Sequence, residues 1–286
     1  MPAHHMVLRI MLGFLLRLAR FRTPCLLALL YGPLASSAQL AQSPFTTGTD
    51  GWLSATLPYP HALPLTVLNT FTPQWQPGDY IWLADPDGSQ PSGGVQYWQA
   101  PAPFLGDKSA AERGRLSFDL RNQGSGYGAF TQEDVLLVGA GLTLVHSLSN
   151  APSETTFTHF SAPLNPGAWR LGSLAGPLAT GAQLRSVLAG LSQLFIRGEF
   201  QLGPDTAYLS DVTLCAGGKL SITGLPGKVL ITWPQAACNA ILLRSDALGD
   251  AASWIPEGTT PILMGNVFAV TNSADGPARF YRLILP

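Results

Sequence analysis

The sequence is poor in charge, with Asp, Glu, Lys and Arg together making up only 12% of its 286 residues and a formal net charge of −1. A protein that binds nucleic acid neutralises phosphates with clustered Lys and Arg. No basic stripe of that kind is present in the sequence. The composition therefore argues against a nucleic-acid-binding protein.

The sequence also lacks the short motifs of common catalytic and metal centres. It has no G-x-S-x-G nucleophile elbow, no His-x-x-x-His pair and no Cys-x-x-Cys pair. Three histidines follow the N-terminal segment, at His61, His146 and His159, and they are isolated from one another. The adjacent carboxylates of Glu133 and Asp134 point to opposite faces of a strand, which does not suit paired acid–base work. We predict a protein without enzymatic activity.

Long apolar runs are scarce beyond the first forty residues. Within these forty residues, four arginines precede the apolar run Cys25–Leu34, and the small residues Ser36-Ser37-Ala38 follow it. A basic start, an apolar middle and a small-residue exit are typical of a cleaved secretory signal, here covering 1–38, with Met1, Met6 or Met11 as the start. The alternative is a membrane anchor, although the arginines interrupt any continuous twenty-residue span. We expect a secreted, cell-surface or periplasmic protein with no membrane span in the mature chain.

Proline and glycine, in contrast, are abundant, with 24 and 30 residues spread along the chain. This composition favours many turns and short elements, as in all-β proteins. Val135–Val138 and Leu142–Val145 are two short apolar runs split by Gly139-Ala140-Gly141. A dinucleotide-binding loop would need a third glycine and a following helix, whereas here the second run continues as a strand. The pattern predicts two core strands joined by a turn.

Two further segments have clear periodicity. Arg115–Arg121 alternates polar and apolar residues, which predicts a half-buried strand. Thr180–Phe195 places its apolar residues at helical spacing, and Thr180 with Gln183 forms a capping-box pattern. We predict one short helix in an otherwise all-β fold.

An ordered set of motifs resembles the laminin IV type A domain, also called the laminin B domain, and the bacterial versions most closely. The motifs are YWQAPAPFLGDKSA (97–110), GRLSFDLR (114–121), DVLLVGAGLTLV (134–145), WRLGSLAGPLAT (169–180), LFIRGEF (194–200) and DTAYLSDV (205–212). The resemblance covers about 45–214. It implies a jelly-roll β-sandwich, similar in shape to carbohydrate-binding modules, in a non-catalytic extracellular protein.

The remaining residues, 219–286, alternate as short strands and end in GPARFYRL (276–283). This part resembles the small fibronectin type III-like β-sandwich domains that end many exported proteins of planctomycete- and verrucomicrobia-type bacteria. The expected organisation is thus a signal peptide at 1–38, a jelly-roll domain at 45–214 and a small β-sandwich at 219–286.

The resemblance to carbohydrate-binding jelly rolls implies one candidate metal site. Those modules often hold a structural calcium ion between the opening turn and the last strand, and the matching positions are Thr46, Asp50 and Asp211. Calcium takes six to eight oxygen ligands, many of them from the backbone. Thr46 stands where an acid is common. The alternative is that Asp50 and Asp211 simply cap turns.

Aromatic residues suggest a candidate binding surface, and two cysteines suggest a bridge. Trp75, Trp82 and Trp98 could stack on sugar rings, or could fill the sandwich core instead.

Cys215 and Cys238 either form a disulfide in an oxidising compartment or remain apart, and the sequence leaves both open. We expect extracellular or cell-surface adhesion to protein or polysaccharide. The alternative function is an accessory carbohydrate-binding protein or a weak polysaccharide hydrolase.

Overall fold

The structure is a computed structural model, and it describes residues 39–59, 63–85, 94–124, 130–249, 253–274 and 278–285. The predicted signal segment 1–38 and His61 lie outside these residues. The described chain divides into two compact units. The first unit contains Ala38–Gly217 with Ala236–Cys238, and the second contains Gly218–Gln235 with Asn239–Pro286.

The first unit is built from thirteen strands and one α-helix. In chain order they are β1 Ala41–Ser43, β2 Leu53–Pro58, β3 Asn69–Phe71, β4 Gln74–Gln76, β5 Tyr80–Asp85, β6 Gly94–Gln99, β7 Arg115–Gly124, β8 Val135–Gly139, β9 Leu142–His146, β10 Thr158–Pro163, β11 Arg170–Leu171, α1 Gly181–Ala189, β12 Leu191–Arg197 and β13 Asp205–Cys215. Short 3-10 turns at Ala102–Phe104, Ser109–Ala111 and Pro166–Ala168 connect some of them.

The strands form two antiparallel sheets. The first sheet has the order β10-β7-β13-β5-β4, with β1 also pairing with β13, and the second has the order β11-β9-β8-β12-β6-β2-β3. Apolar side chains from both sheets fill one interior, in which Trp52, Trp98, Phe118 and Leu209 are fully buried. The all-β prediction of a β-sandwich with one short helix is confirmed.

The β8–β9 hairpin follows directly from its sequence. Ala140 and Gly141 both adopt positive φ, 49° and 71°, between two strands that pair from Val135↔His146 to Gly139↔Leu142. Two successive positive φ angles define the type I′ turn, whose twist matches that of paired strands. The prediction of two core strands joined by a turn is confirmed.

The predicted helix is too long in the C-terminal direction. The capping box forms as predicted, because the Thr180 hydroxyl accepts from the Gln183 backbone N–H and the Gln183 side chain accepts from the Thr180 N–H. The helix ends at Ala189, however, and the chain continues as β12 from Leu191. The apolar residues of β12 share the spacing of the helix by coincidence and are buried as strand residues in the sandwich.

A second apolar layer covers the outer face of the second sheet. Tyr97 and Phe195 lie on that face with four aliphatic neighbours and an alanine, and all are buried. Leu65, Val67 and Phe130 pack against them from connecting segments. One sheet of the sandwich is therefore covered on both faces, and solvent reaches mainly the outer face of the first sheet.

The structure joins Cys215 and Cys238 in a disulfide, with 5.5 Å between their Cα atoms. Cys215 ends β13, and both cysteines belong to the first unit. In the chain-entropy description, closing a loop with a sequence separation of 23 removes about 3 kcal/mol of unfolded-state freedom.

The second unit contains seven strands in two antiparallel sheets. They are β14 Ser221–Leu225, β15 Lys228–Pro234, β16 Ile241–Ser245, β17 Ile255–Pro256, β18 Ile262–Met264, β19 Val267–Ser273 and β20 Phe280–Ile284. Their orders are β14-β15-β19-β18 and β17-β16-β20. The buried apolar set is small and includes Ile231, Trp233 and Leu242. Among the residues the structure describes, no helix is long and apolar enough to cross a membrane.

Candidate functional site

The outer face of the first sheet carries a row of large side chains across three neighbouring strands. Trp82 of β5 lies directly opposite Tyr208 of β13, and Tyr208 lies directly opposite Arg121 of β7. Their neighbours along the strands, such as Ile81 and Leu209, are buried in the core. Successive side chains of a strand point to opposite faces of the sheet. The period of the strands therefore places these three side chains on the same outer face.

These side chains form a continuous stack. The Trp82 and Tyr208 ring centroids are 6.5 Å apart with an interplanar angle of 28°, and the Arg121 guanidinium carbon lies 3.7 Å from the Tyr208 centroid. The same guanidinium lies 5.5 Å from the ring of Phe157 and 5.8 Å from the ring of Tyr80. We call Tyr80, Trp82, Arg121, Phe157 and Tyr208 the aromatic ladder.

The Tyr208 ring is flanked on two sides within the ladder. Tyr208 lies between Trp82 and Arg121 in the strand order, so both of its ring faces are covered. All members of the ladder are half-buried. A pyranose ring stacks on an exposed aromatic face, and Tyr208 has none to offer. The surface is instead a mixed patch of aromatic carbon and one guanidinium.

The three tryptophans predicted to contact sugars occupy different environments. Trp98 is fully buried in the sandwich interior, which removes it from any solvent-facing surface and corrects that prediction. Trp75 is half-buried and its indole N–H donates to the Phe45 carbonyl at 2.7 Å. Of these three tryptophans, only Trp82 belongs to the ladder. The sequence analysis missed Arg121 and Tyr208 as functional candidates.

A hydrogen-bonded histidine and aspartate lie beside the ladder on the same sheet face. His159 Nδ1 is 2.6 Å from an oxygen of Asp119, and the two residues are opposite each other in β10 and β7. Asp211, in a positive-φ conformation at an irregularity of β13, is near this pair. Burial raises the pKa of the Asp211 carboxyl, and the negative charges of Asp119 and Asp79 raise it further.

The residues predicted to hold calcium have other local roles. The Asp50 carboxylate accepts the Phe45 backbone N–H at 3.0 Å and so closes the turn after β1, and Thr46 is exposed. The charged neighbours that act on Asp211 are Asp119, Asp79 and His159. Within the described residues, no group of three or more His, Cys, Asp or Glu side chains is placed to hold a metal ion. Calcium at this turn stays a prediction.

His146 and His159 line one cleft of about 260 Å³, together with three serines and three apolar residues. His146 Nδ1 is 2.7 Å from the Ala168 carbonyl, and its ring packs on Trp169 at 5.2 Å. His159 Nδ1 is hydrogen-bonded to Asp119. Each histidine thus has a local hydrogen-bond partner, as expected for isolated strand histidines.

A buried polar cluster lies at the end of the sandwich where β6, β7 and β13 meet. The Glu199 carboxylate accepts the Gln96 backbone N–H at 2.9 Å, and the Asn122 side-chain amide donates to Asp205 at 2.8 Å. Burial, the largest cause, raises the pKa of Glu199 from 4.5 to about 7 and that of Asp205 from 3.8 to about 6. The nearby charge of Asp85 raises both pKa values further.

Next to this cluster is a buried ion pair. An Arg197 side-chain N–H donates to Asp134 at 3.2 Å, and the guanidinium also donates to the carbonyls of Glu199 and Phe130. Its carbon lies 4.3 Å and 4.5 Å from the rings of Phe130 and Phe200. The only described guanidinium in direct contact with this cluster is therefore already committed to Asp134.

Comparison with known proteins identifies similar sequences. The chain is 31% identical over 120 residues to the Basement membrane-specific heparan sulfate proteoglycan core protein of Mus musculus, covering 41% of this chain and 3% of that protein. It is 30% identical over 129 residues to the Basement membrane proteoglycan of Caenorhabditis elegans, covering 42% of this chain and 4% of that protein. The chain thus spans only a few per cent of the length of these relatives.

Two solved structures show weaker overall similarity. The L4b domain of human laminin alpha-2 matches with a TM-score of 0.46 and 14% identity, covering 62% of this chain and 98% of that chain. A beta-1,2-glucanase from Parabacteroides distasonis matches with a TM-score of 0.31 and 13% identity, covering 87% of this chain and 35% of that chain.

The matching family model covers about two thirds of the first unit and the first residues of the second unit. Residues 97–226 match the family described as Laminin B (Domain IV). Three members of the ladder, Arg121, Phe157 and Tyr208, lie within this segment, whereas Tyr80 and Trp82 precede it. The chain therefore contains a segment similar to laminin domain IV, and this segment supplies most of the candidate surface.

Proposed function

We propose that this protein is an exported, non-catalytic adhesion module that binds an extracellular protein partner through the aromatic ladder. The observation that carries the proposal is the stack of Trp82, Tyr208 and Arg121 on the outer face of the first sheet. Similarity to laminin domain IV, found in the basement membrane proteins named above, supports an extracellular structural role. The pattern of 1–38 supports export through a cleaved signal.

The composition of the ladder favours a protein partner over a polysaccharide. Trp, Tyr and Arg are the residue types that contribute most binding energy at protein interfaces. The side chains are held rigid by their neighbours, so little conformational entropy is lost when a partner covers them. The covered faces of Tyr208 do not suit sugar stacking. Polysaccharide binding is therefore the weaker of the two partner predictions.

The buried position of the perturbed carboxylates supports a non-catalytic role. A glycosidase needs two carboxyl groups that flank the scissile bond of a bound sugar. Glu199 and Asp205 have the raised pKa values that general acids use, but each exposes only 4% of its surface. A polymer chain cannot reach them in this arrangement. The alternative of a weak polysaccharide hydrolase is correspondingly disfavoured.

We also propose that the first unit is of the bacterial laminin IV type and that the second unit is fibronectin type III-like. Strand pairing supports the second statement. The first strand pairs with the second and the second with the sixth in one sheet, and the third pairs with the seventh in the other. Sandwich domains of this class distribute consecutive strands between two sheets in a similar way.

The proposed function can be tested with a panel of immobilised extracellular-matrix proteins and a polysaccharide array. The affinity of the wild-type protein for the matrix proteins and for the polysaccharides is compared with that of the double variant Trp82→Ala/Arg121→Ala. We expect binding to at least one matrix protein, with a loss of about tenfold or more in the double variant, since interface aromatic and Arg residues each contribute over about 1 kcal/mol.

Phe71→Ala provides the matched control. Phe71 is a 49% exposed aromatic on β3, in the other sheet, so its loss should leave binding unchanged. Binding to polysaccharides alone would support the carbohydrate alternative instead. Binding to a matrix protein that is unchanged in the double variant would show that the ladder is not the contact surface.

A further inference from the structure

The buried polar cluster has more oxygen atoms than the hydrogen bonds around it can satisfy. Gln96 and Asn122 each expose 2% of their surface and Asp205 exposes 4%. Both side-chain amide atoms of Gln96 and Oδ1 of Asn122 have no hydrogen-bond partner, whereas the Asp205 carboxylate accepts from Asn122 and from the backbone of Phe200 and Gln201. A buried polar atom without a partner costs about 1–3 kcal/mol, so several together require an explanation.

These atoms surround a single backbone position, Gly198. The Gly198 carbonyl accepts from the Asn122 side-chain amide at 3.1 Å. On another side, the Gln96 Cδ atom and the Trp98 Nε1 atom would each lie 3.3 Å from a Cβ placed on Gly198. The next residue, Glu199, is fixed to the Gln96 backbone N–H. The Asn122 amide thus connects the Gly198 carbonyl to Asp205, and the Gln96 side chain lies beside the same glycine, next to Glu199 in sequence.

The same cluster has an excess of negative charge. Glu199 and Asp205 bring two carboxylates, and Asp85 lies directly opposite Asp205 in the strand register. Arg197 donates to the Glu199 carbonyl and its charge favours the ionised form of Glu199, but its guanidinium is also paired with Asp134, so one cation serves several carboxylates. Burying carboxylates without a counter-charge is unfavourable unless a cation or protons compensate for them.

We propose that Glu199, Asp205, Asn122 and Gln96 form a binding site for a hard divalent cation of the calcium type. Carboxylate and amide oxygens are the ligands that calcium prefers. The Asn122 side-chain amide donates to the Gly198 carbonyl and to Asp205, so binding an ion there requires this amide to turn its oxygen towards them. The site combines two carboxylates with two amide oxygens. It is therefore distinct from clusters of three or more acidic or histidine ligands, of which the described residues have none.

Such an ion would connect both sheets of the sandwich. Gln96 belongs to β6 of the second sheet, whereas Asn122 and Asp205 belong to β7 and β13 of the first. Glu199 lies on the segment between β12 and β13. The site is separate in sequence from Thr46, Asp50 and Asp211, and it does not depend on the proposed adhesion function.

The test uses the purified protein after treatment with a chelator and dialysis. Tb³⁺ is added and its luminescence is excited through tryptophan, because the Trp98 indole lies beside Gly198 and energy transfer requires short distances. We expect sensitised emission that Ca²⁺ displaces, and a rise in the thermal unfolding midpoint when Ca²⁺ is added.

Three variants locate the ion. Asp205→Asn and Glu199→Gln keep the shape and remove one charge each, and we expect each to weaken Ca²⁺ binding by about tenfold or more. Asp107→Asn, at an exposed acid outside both candidate calcium sites, is the matched control and should leave the affinity unchanged. If the charge variants fail to fold, Gln96→Leu, which removes only an amide, is expected to weaken binding as well.

Two results would overturn the proposal. One is the absence of both sensitised emission and a midpoint shift in the wild-type protein at millimolar Ca²⁺, which needs no variant. The other is Tb³⁺ binding that persists in Asp205→Asn and Glu199→Gln but disappears in Asp211→Asn. That outcome would place the ion at the opening turn instead. Binding to matrix proteins can be measured separately in the presence of chelator. A failure of the cation proposal therefore leaves the test of the adhesion proposal unaffected.

Discussion

The guanidinium of Arg121 lies 3.7 Å from the centre of the Tyr208 ring, and the two residues face each other across β7 and β13. A cation over an aromatic face at this distance is attracted by the ring quadrupole, and the contact also removes ring carbon from water. No carboxylate within the described chain pairs with Arg121, so the ring is its main partner. The contact fixes the guanidinium at a partly exposed position on the ladder.

This contact should be measurable as a coupling energy. Arg121→Ala and Tyr208→Leu are each expected to lower the free energy of unfolding by about 1 kcal/mol, with a coupling of about 0.5–1 kcal/mol in the double-mutant cycle. Urea unfolding of the four proteins gives the value. Arg185→Ala, at an exposed ion pair with Glu112, is the control and should cost less than about 0.5 kcal/mol. Additive effects within error would show that the two side chains do not interact.

The β8–β9 turn offers a stabilising substitution. Ala140 is exposed and holds φ at 49°, a conformation that Asn tolerates better than Ala, and it precedes Gly141 in a type I′ turn. Ala140→Asn creates the Asn-Gly pair that this turn prefers. We expect it to raise the unfolding free energy by about 0.5–1 kcal/mol.

The control for this substitution is Ala151→Asn, at another exposed alanine without a positive φ. It should change the unfolding free energy by less than about 0.5 kcal/mol. Equal effects of the two substitutions would mean that the turn conformation is not responsible.

Local features of the fold could be predicted from the sequence because short segments determine them. The β8–β9 hairpin and the start of α1 at Thr180 depend on residues only a few positions apart. The prediction of the C-terminal end of α1 was wrong because the apolar residues after Gly190 fit a helix and a buried strand equally well. Periodicity alone could not separate the two, and the glycine was the available signal.

The candidate surface depended on long-range pairing and was largely hidden. Arg121 and Tyr208 are 87 positions apart, and no local pattern shows that their strands are neighbours. Likewise, Trp82 and Trp98 look alike in sequence, yet one lies on the outer face and the other in the core. Which face a strand residue occupies depends on its register with other strands, which the sequence alone did not provide.

Stability should fall as pH rises through the buried carboxylates when no divalent cation is present. The pKa of Glu199 rises from 4.5 to about 7 and that of Asp205 from 3.8 to about 6 on folding, chiefly because of burial. Between these limits the folded state binds more protons than the unfolded state, so the unfolding free energy decreases with increasing pH. The contribution is fully present below about pH 4 and is lost above about pH 7.

Urea unfolding at several pH values in the presence of a chelator measures this effect. We expect the wild-type protein to lose on the order of 5 kcal/mol between these limits, with roughly equal contributions from the two carboxyl groups. Glu199→Gln cannot ionise and should flatten the profile, whereas Asp246→Asn, at an exposed acid far from the cluster in sequence, should leave the slope unchanged. A profile that rises with pH in the chelated wild-type protein would contradict the assignment.

The buried pair of Arg197 and Asp134 should show strong non-additivity. Both side chains are almost completely buried, with 4% and 8% of the side-chain surface exposed. Asp134→Ala leaves the guanidinium buried without its carboxylate, and Arg197→Met leaves the carboxylate without its cation. Each is therefore expected to lower the unfolding free energy by about 3–5 kcal/mol. In the double variant neither charge is buried, so its loss of unfolding free energy should be well below the sum of the two single losses.

Asp134 also accepts the Leu148 backbone N–H at 2.7 Å, and this bond is lost both in Asp134→Ala and in the double variant. The double variant should therefore remain less stable than the wild-type protein. Purely additive losses in urea unfolding would mean that each residue acts through packing alone.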